Sequence, residues 1–156
     1  MRMMLVMVAA IACGPSSSEI KTAKTATYKA DPSEVFRIAQ ETAAQTYKIA
    51  EARPEQLAFM TEMQWYNEEG GRESAGAGDY VQINDKSVQL GLIVEVVQGN
   101  EVRVVVTPKT FQHLSGSPKP RELAPTDPNL PGWVTGRAEQ LQLEIHKALE
   151  KYAVKK

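Results

Sequence analysis

Hydrophobic and polar positions along the chain change period several times, and each change marks an element. Residues 25–30 alternate weakly and carry β-branched side chains, which predicts a first strand. Asp31, Pro32 and Glu34 then form a helix start, with Asp as cap, Pro at the first helical position and an acid three residues after the cap. Val35, Ile38, Ala39, Thr42 and Thr46 follow at helical spacing, with Phe36, Ala43 and Tyr47 widening the stripe, so the helix is expected over residues 31–47. Residues 48–52 read as a short strand, 53–56 as a turn and 57–66 as a longer strand. A helix competes for the last of these, because Leu, Ala, Met, Glu and Gln are good helix formers.

The strongest pattern lies further on. Residues 88–97 and 102–108 are β-branched runs flanking a short polar turn that contains Gly99 and Asn100, the signature of a β-hairpin. Gly91 inside the first run marks a bulge or a close approach. Before the hairpin, residues 67–78 contain Gly70, Gly71, Gly76 and Gly78 and no core residue, which predicts a flexible loop. Residues 79–83 allow a short strand. After the hairpin, residues 115–132 hold Pro118, Pro120, Pro125, Pro128 and Pro131, five of the nine prolines, and read as an extended surface connection. A final amphipathic helix is expected over residues 133–152, with Ala138, Leu141, Ile145, Ala148, Leu149 and Tyr152 on its stripe. The order is β-α-β-β-β-β-α. An antiparallel sheet of adjacent pairings with both helices on one face buries every stripe, which makes the predicted fold an α+β two-layer sandwich.

The first residues have a different character. Arg2 is followed by residues 3–12, uncharged and apolar up to Cys13. Ten helical residues rise about 15 Å, half of a hydrocarbon core of about 30 Å, so the run is too short to span a bilayer. A charged start, a short apolar run and small residues at its end match a secretory signal peptide. The stretch Ala10-Ile11-Ala12-Cys13-Gly14 resembles the lipobox of bacterial lipoproteins. That resemblance implies acylation of the Cys13 sulfur with diacylglycerol, cleavage just before it and anchoring in a membrane. Gly14 fits export to the outer membrane, in bacteria where Asp at that position causes inner-membrane retention. The polar run Gly14-Pro15-Ser16-Ser17-Ser18 suits a tether. The expected organisation is residues 1–12 as signal, 13–24 as lipidated Cys and flexible tether, and 25–156 as a single domain.

Composition narrows the chemistry. The chain has 156 residues, a net charge of −1, one Cys and two His. Such a charge gives no global basic field, so nucleic-acid binding is not expected. One Cys makes neither an internal disulfide nor a Cys-rich zinc site, and no His-x-x-x-His spacing exists, so neither metal nor cofactor is expected. His146, displaced by about 100° from Ile145, reads as a solvated flank position. Ser115, two residues from His113, lies in a Ser-Gly-Ser-Pro loop without a Gly-x-Ser-x-Gly elbow. The glycines at 70, 71, 76 and 78 precede no strand-to-helix phosphate cradle.

Trp65, Tyr66, Tyr80 and Trp133 remain as recognition candidates. They read either as core fillers of an aromatic-poor sheet or as the lining of a groove between sheet and C-terminal helix, rimmed by the Pro-rich segment. Element order, lipobox and Ser-rich tether together resemble the helix-grip domains of BamC-type outer-membrane lipoproteins. This implies a periplasm-facing module that binds partner proteins or the envelope; with no nucleophile-base or metal spacing in the chain, an enzyme is not expected. The alternative is a small periplasmic hydrolase or hydrophobic-ligand carrier using the same groove.

Overall fold

Two ten-residue strands, β4 (Val88–Val97) and β5 (Arg103–Gln112), form the hairpin around which the other elements assemble. The computed structural model describes residues 14–73 and 83–155. Ahead of the hairpin come α1 (Ser17–Thr25), α2 (Pro32–Ala44), β1 (Ile49–Arg53), β2 (Ala58–Thr61) and β3 (Gln64–Tyr66). After it come β6 (Arg121–Leu123) and α3 (Gly132–Ala148). The sheet is antiparallel, in the order β1-β2-β4-β5-β6, and β3 pairs with β4 beyond the end of β2. With α2 and α3 on one face, this is the expected α+β two-layer sandwich.

Alternation along the strands decides which residues enter the core. On β4, Val88, Leu90, Leu92, Val94 and Val96 are buried against the helices. Helix α2 answers with Val35, Phe36, Ala39 and Ala43, and α3 with Val134, Ala138, Leu141 and Ile145. Phe36 meets Phe59 of β2 edge-on, with ring centres 5.9 Å apart, a favourable aromatic geometry. The α2 start is as expected, since Asp31 caps by accepting from the Ser33 N–H. Thr46 and Ala148, both placed on buried stripes by periodicity, are exposed: Thr46 lies beyond the end of α2 at Ala44, and Ala148 is the last residue of α3.

Three expectations are corrected. The segment read as a tether contains α1. Ser16 and Glu19 form a reciprocal capping box, in which the Ser16 hydroxyl accepts from the Glu19 N–H and the Glu19 carboxylate accepts from the Ser16 N–H. The helix buries Ala23, and Lys24 pairs with Glu139 of α3 at 2.5 Å. The expected strand at residues 25–30 shrinks to a bridge at Tyr28, which pairs with Val102 on one side and Ala153 on the other. The Pro-rich connection contains β6, which adds to the far end of β5 through Thr110↔Leu123.

Residues 57–66 are strand rather than helix, but broken in two. The buried Thr61 hydroxyl accepts from the Leu92 N–H at 2.9 Å and replaces a ladder bond where β2 ends. Leu57, just before β2, holds the left-handed conformation (φ 52°). The hairpin is as expected, and its second strand runs past Pro108 to Gln112. Gly91 is the site of a close approach: a Cβ there would lie 2.5 Å from the Met63 sulfur. The expected signal peptide, Cys13 and most of the strand expected at 79–83 lie outside the described residues.

Candidate functional site

Of the four aromatic candidates, the structure brings two together. Tyr66 is buried on the inner face of β3, and its ring centre lies 5.3 Å from that of Trp133 at the start of α3. The Arg137 guanidinium, one turn along α3, lies 4.6 Å from the Tyr66 ring centre and 5.6 Å from that of Trp133. It also donates to the Gly70 carbonyl at 2.7 Å, while the Trp133 indole N–H donates to the Glu68 carbonyl at 3.0 Å. Gly70 has φ +84°, and a Cβ there would stand 2.8 Å from the Trp133 ring, so only glycine fits. The cluster is a clasp that fastens the start of the Gly-rich loop to α3. Burial pushes the nearby Tyr47 hydroxyl above its ordinary pKa, and Arg137 beside it pulls the other way.

Trp65 is not part of this cluster. Being adjacent to Tyr66 in one strand, it faces the opposite side of the sheet and meets His113 edge-on, with ring centres 6.5 Å apart. Tyr80 lies outside the described residues.

The two histidines are likewise used separately. His146 is not a solvated flank group: its Nδ1 lies 3.0 Å from the hydroxyl of Tyr28, which is 1% exposed. Burial pushes the Tyr28 pKa up to about 12. Near His113, the Ser115 hydroxyl and backbone N–H hold the Asp85 carboxyl below its ordinary range. The Asp85 carboxylate accepts from the Ser115 backbone N–H at 2.6 Å, and among the described residues no hydrogen bond joins the His113 ring to Ser115 or Asp85. Nor does any group of three or more His, Cys, Asp or Glu side chains among the described residues have a geometry that could hold a metal ion.

A groove does run between sheet and C-terminal helix, but it is aliphatic. Val104, Val106 and Pro108 of β5 form one wall, Ala138 of α3 the other, and Pro125 and Leu130 of the Pro-rich segment the rim. Its volume is about 350 Å³, and the Lys24–Glu139 ion pair stands at one end. Gln142 forms its floor. This side chain, 4% exposed, accepts from the Val106 N–H at 3.0 Å and donates to the carbonyls of Val104 at 3.0 Å and Ala23 at 3.3 Å. A polar side chain gives Gln142 no hydrophobic signal, yet it lies four residues after Ala138 and three before Ile145, on the stripe itself. Trp133 lines a different, shallower depression with Tyr47 and Glu144.

No protein-family model and no curated protein matches this chain.

Proposed function

We propose that this chain is a lipid-anchored, non-catalytic binding module of the bacterial envelope. In this reading acyl groups on Cys13 hold it at the periplasmic face of the outer membrane, and the β5/α3 groove takes a protein partner. The groove is the observation that carries the binding role. Its walls are aliphatic, and it opens alongside a strand edge. A volume of about 350 Å³ stands at the low end of small-ligand pockets, which enclose about 300–1,000 Å³. That favours two or three apolar side chains from an extended partner segment over an engulfed ligand. The anchoring role is supported by the apolar run that ends at Cys13. Each buried acyl CH₂ contributes about 0.8 kcal/mol, and two or more chains suffice for stable anchoring.

Crosslinking of the intact protein in its own envelope tests the binding role. Thr135, exposed at the groove on α3, is the position to fill. A partner captured by the native chain and lost in Thr135→Trp supports the reading, and a partner retained by Thr135→Trp overturns the groove as its seat. Anchoring is tested separately by Cys13→Ala and by globomycin. Altered processing and loss of palmitate label are expected, and unchanged mobility without any label overturns it.

A further inference from the structure

Helix α3 carries two stripes of different character. Thr135, Ala138, Glu139 and Gln142 face the aliphatic groove. Trp133, Gly136, Arg137, Gln140 and Glu144 recur at helical spacing on another face and line a separate, open depression of about 440 Å³. Tyr47, just beyond α2, and Glu69, just before Gly70, complete its walls. That volume falls within the range of small-ligand sites, about 300–1,000 Å³.

Gly136 holds this space open. It stands inside α3, where glycine is among the poorest helix formers, and no described neighbour requires it: a Cβ at this position would meet nothing within 4 Å. Gly70, by contrast, is imposed by the Trp133 ring. A helical glycine that packing does not demand, in the lining of a depression, leaves the room that an occupant needs.

The other lining residues narrow what that occupant is. Trp133 and Tyr47 are half-buried against the core and supply apolar ring surface. Beside them stand the Glu69 and Glu144 carboxylates, which accept hydrogen bonds, and the Gln140 amide and Tyr47 hydroxyl, which both donate and accept. Gln140 donates to Glu144 at 2.9 Å, which orients the pair. Neither carboxylate takes part in an ion pair among the described residues. Their charges oppose an anionic ligand, and the Arg137 guanidinium in the same lining opposes a cationic one. A neutral ring with an apolar face and a rim of hydroxyls satisfies all of these groups at once.

We propose that this depression binds a neutral pyranose oligosaccharide, its C–H face against the aromatic lining and its hydroxyls hydrogen-bonded to Glu144, Gln140 and Glu69. The site is separate from the β5/α3 groove, so it stands or falls independently of partner capture there.

Saturation-transfer NMR on the full chain, in a detergent without a sugar headgroup, tests this with maltotriose and triacetylchitotriose. Transfer to the ring C–H protons of at least one of them is expected, with a dissociation constant on the order of 1 mM. The one that binds tells a glucan from an N-acetylated glycan as the source. Gly136→Leu fills the depression from a solvent-exposed position, so it should keep or raise the thermal midpoint while weakening binding at least roughly tenfold. Glu144→Ala should weaken it by a similar factor. In a Trp65→Phe background Trp133 is the only tryptophan, and its emission should change saturably as the sugar binds. No transfer to either sugar at about ten times that concentration, or transfer undiminished in both variants, would overturn the proposal. So would a Trp133 response to tetramethylammonium or inorganic phosphate but to neither sugar.

Discussion

Gln142 stands in for a missing strand beside Val106. Its side-chain amide accepts from the Val106 N–H and donates to the Val104 carbonyl, both at 3.0 Å, as a neighbouring backbone amide would. This stretch of β5 has no strand partner on that side, because β6 pairs only with Thr110, Phe111 and Gln112. Tyr28 covers the next stretch by bridging Val102, and Pro108 has no N–H to expose.

Replacing Gln142 with Leu keeps the volume but leaves the Val104 carbonyl and Val106 N–H unpaired beside the core. The expected loss is about 2–6 kcal/mol in urea unfolding, since each of the two buried unsatisfied groups costs about 1–3 kcal/mol. A loss well below 1 kcal/mol would mean that water takes over both bonds.

Tyr28 links stability to alkaline pH. Its pKa is about 12 in the folded chain and about 10 when unfolded, so folding favours the neutral phenol. That stability is fully present below pH 10 and is lost as pH rises through 12. The urea midpoint should fall between pH 10 and 12, and Tyr28→Phe should fall less. Equal slopes in the two proteins would assign the decline to other groups.

Gly70→Ala forces a left-handed residue and drives a methyl group into the Trp133 ring. A destabilisation of about 1–3 kcal/mol is expected. In a Trp65→Phe background Trp133 is the only tryptophan, so its emission should shift to the red as the indole leaves Tyr66 and Arg137. Unchanged emission with unchanged stability would rule out the clasp.

Ser16→Ala removes one half of the capping box of α1. Amide exchange within Ser17–Thr25 should quicken by about fivefold, with little change in the β4 and β5 amides. Exchange quickening equally throughout would show that α1 unfolds only with the whole domain.

Much of this architecture was legible in the sequence, for local reasons. The hairpin announces itself through β-branched runs around Gly99 and Asn100, and α2 through Asp31, Pro32 and its stripe. Helix α1 was hidden because three serines read as a breaker, although Ser16 and Glu19 stand at capping-box spacing. The alternation around Tyr28 reads as a strand, whereas its bridge partners, Val102 and Ala153, are distant in sequence and leave no local signal. The aromatic grouping was avoidable, since Trp65 and Tyr66 are adjacent in a strand and must face opposite ways. Among the described residues, the aliphatic groove contains none of the aromatic candidates, and its lining comes from β5, α3 and the Pro-rich segment, which only the tertiary fold brings together.

A helix layer on only one side of the sheet leaves strand addition at its edges as the way the sheet itself could grow. The β5 edge is already occupied by Tyr28, Gln142 and β6. The opposite edge strand, β1, is five residues long and carries Glu51 and Arg53, whose side chains pair with each other on the outer face of the sheet. Pairing with an extended segment of another chain is therefore confined to a short, charged edge, which protects the sheet from open-ended strand addition.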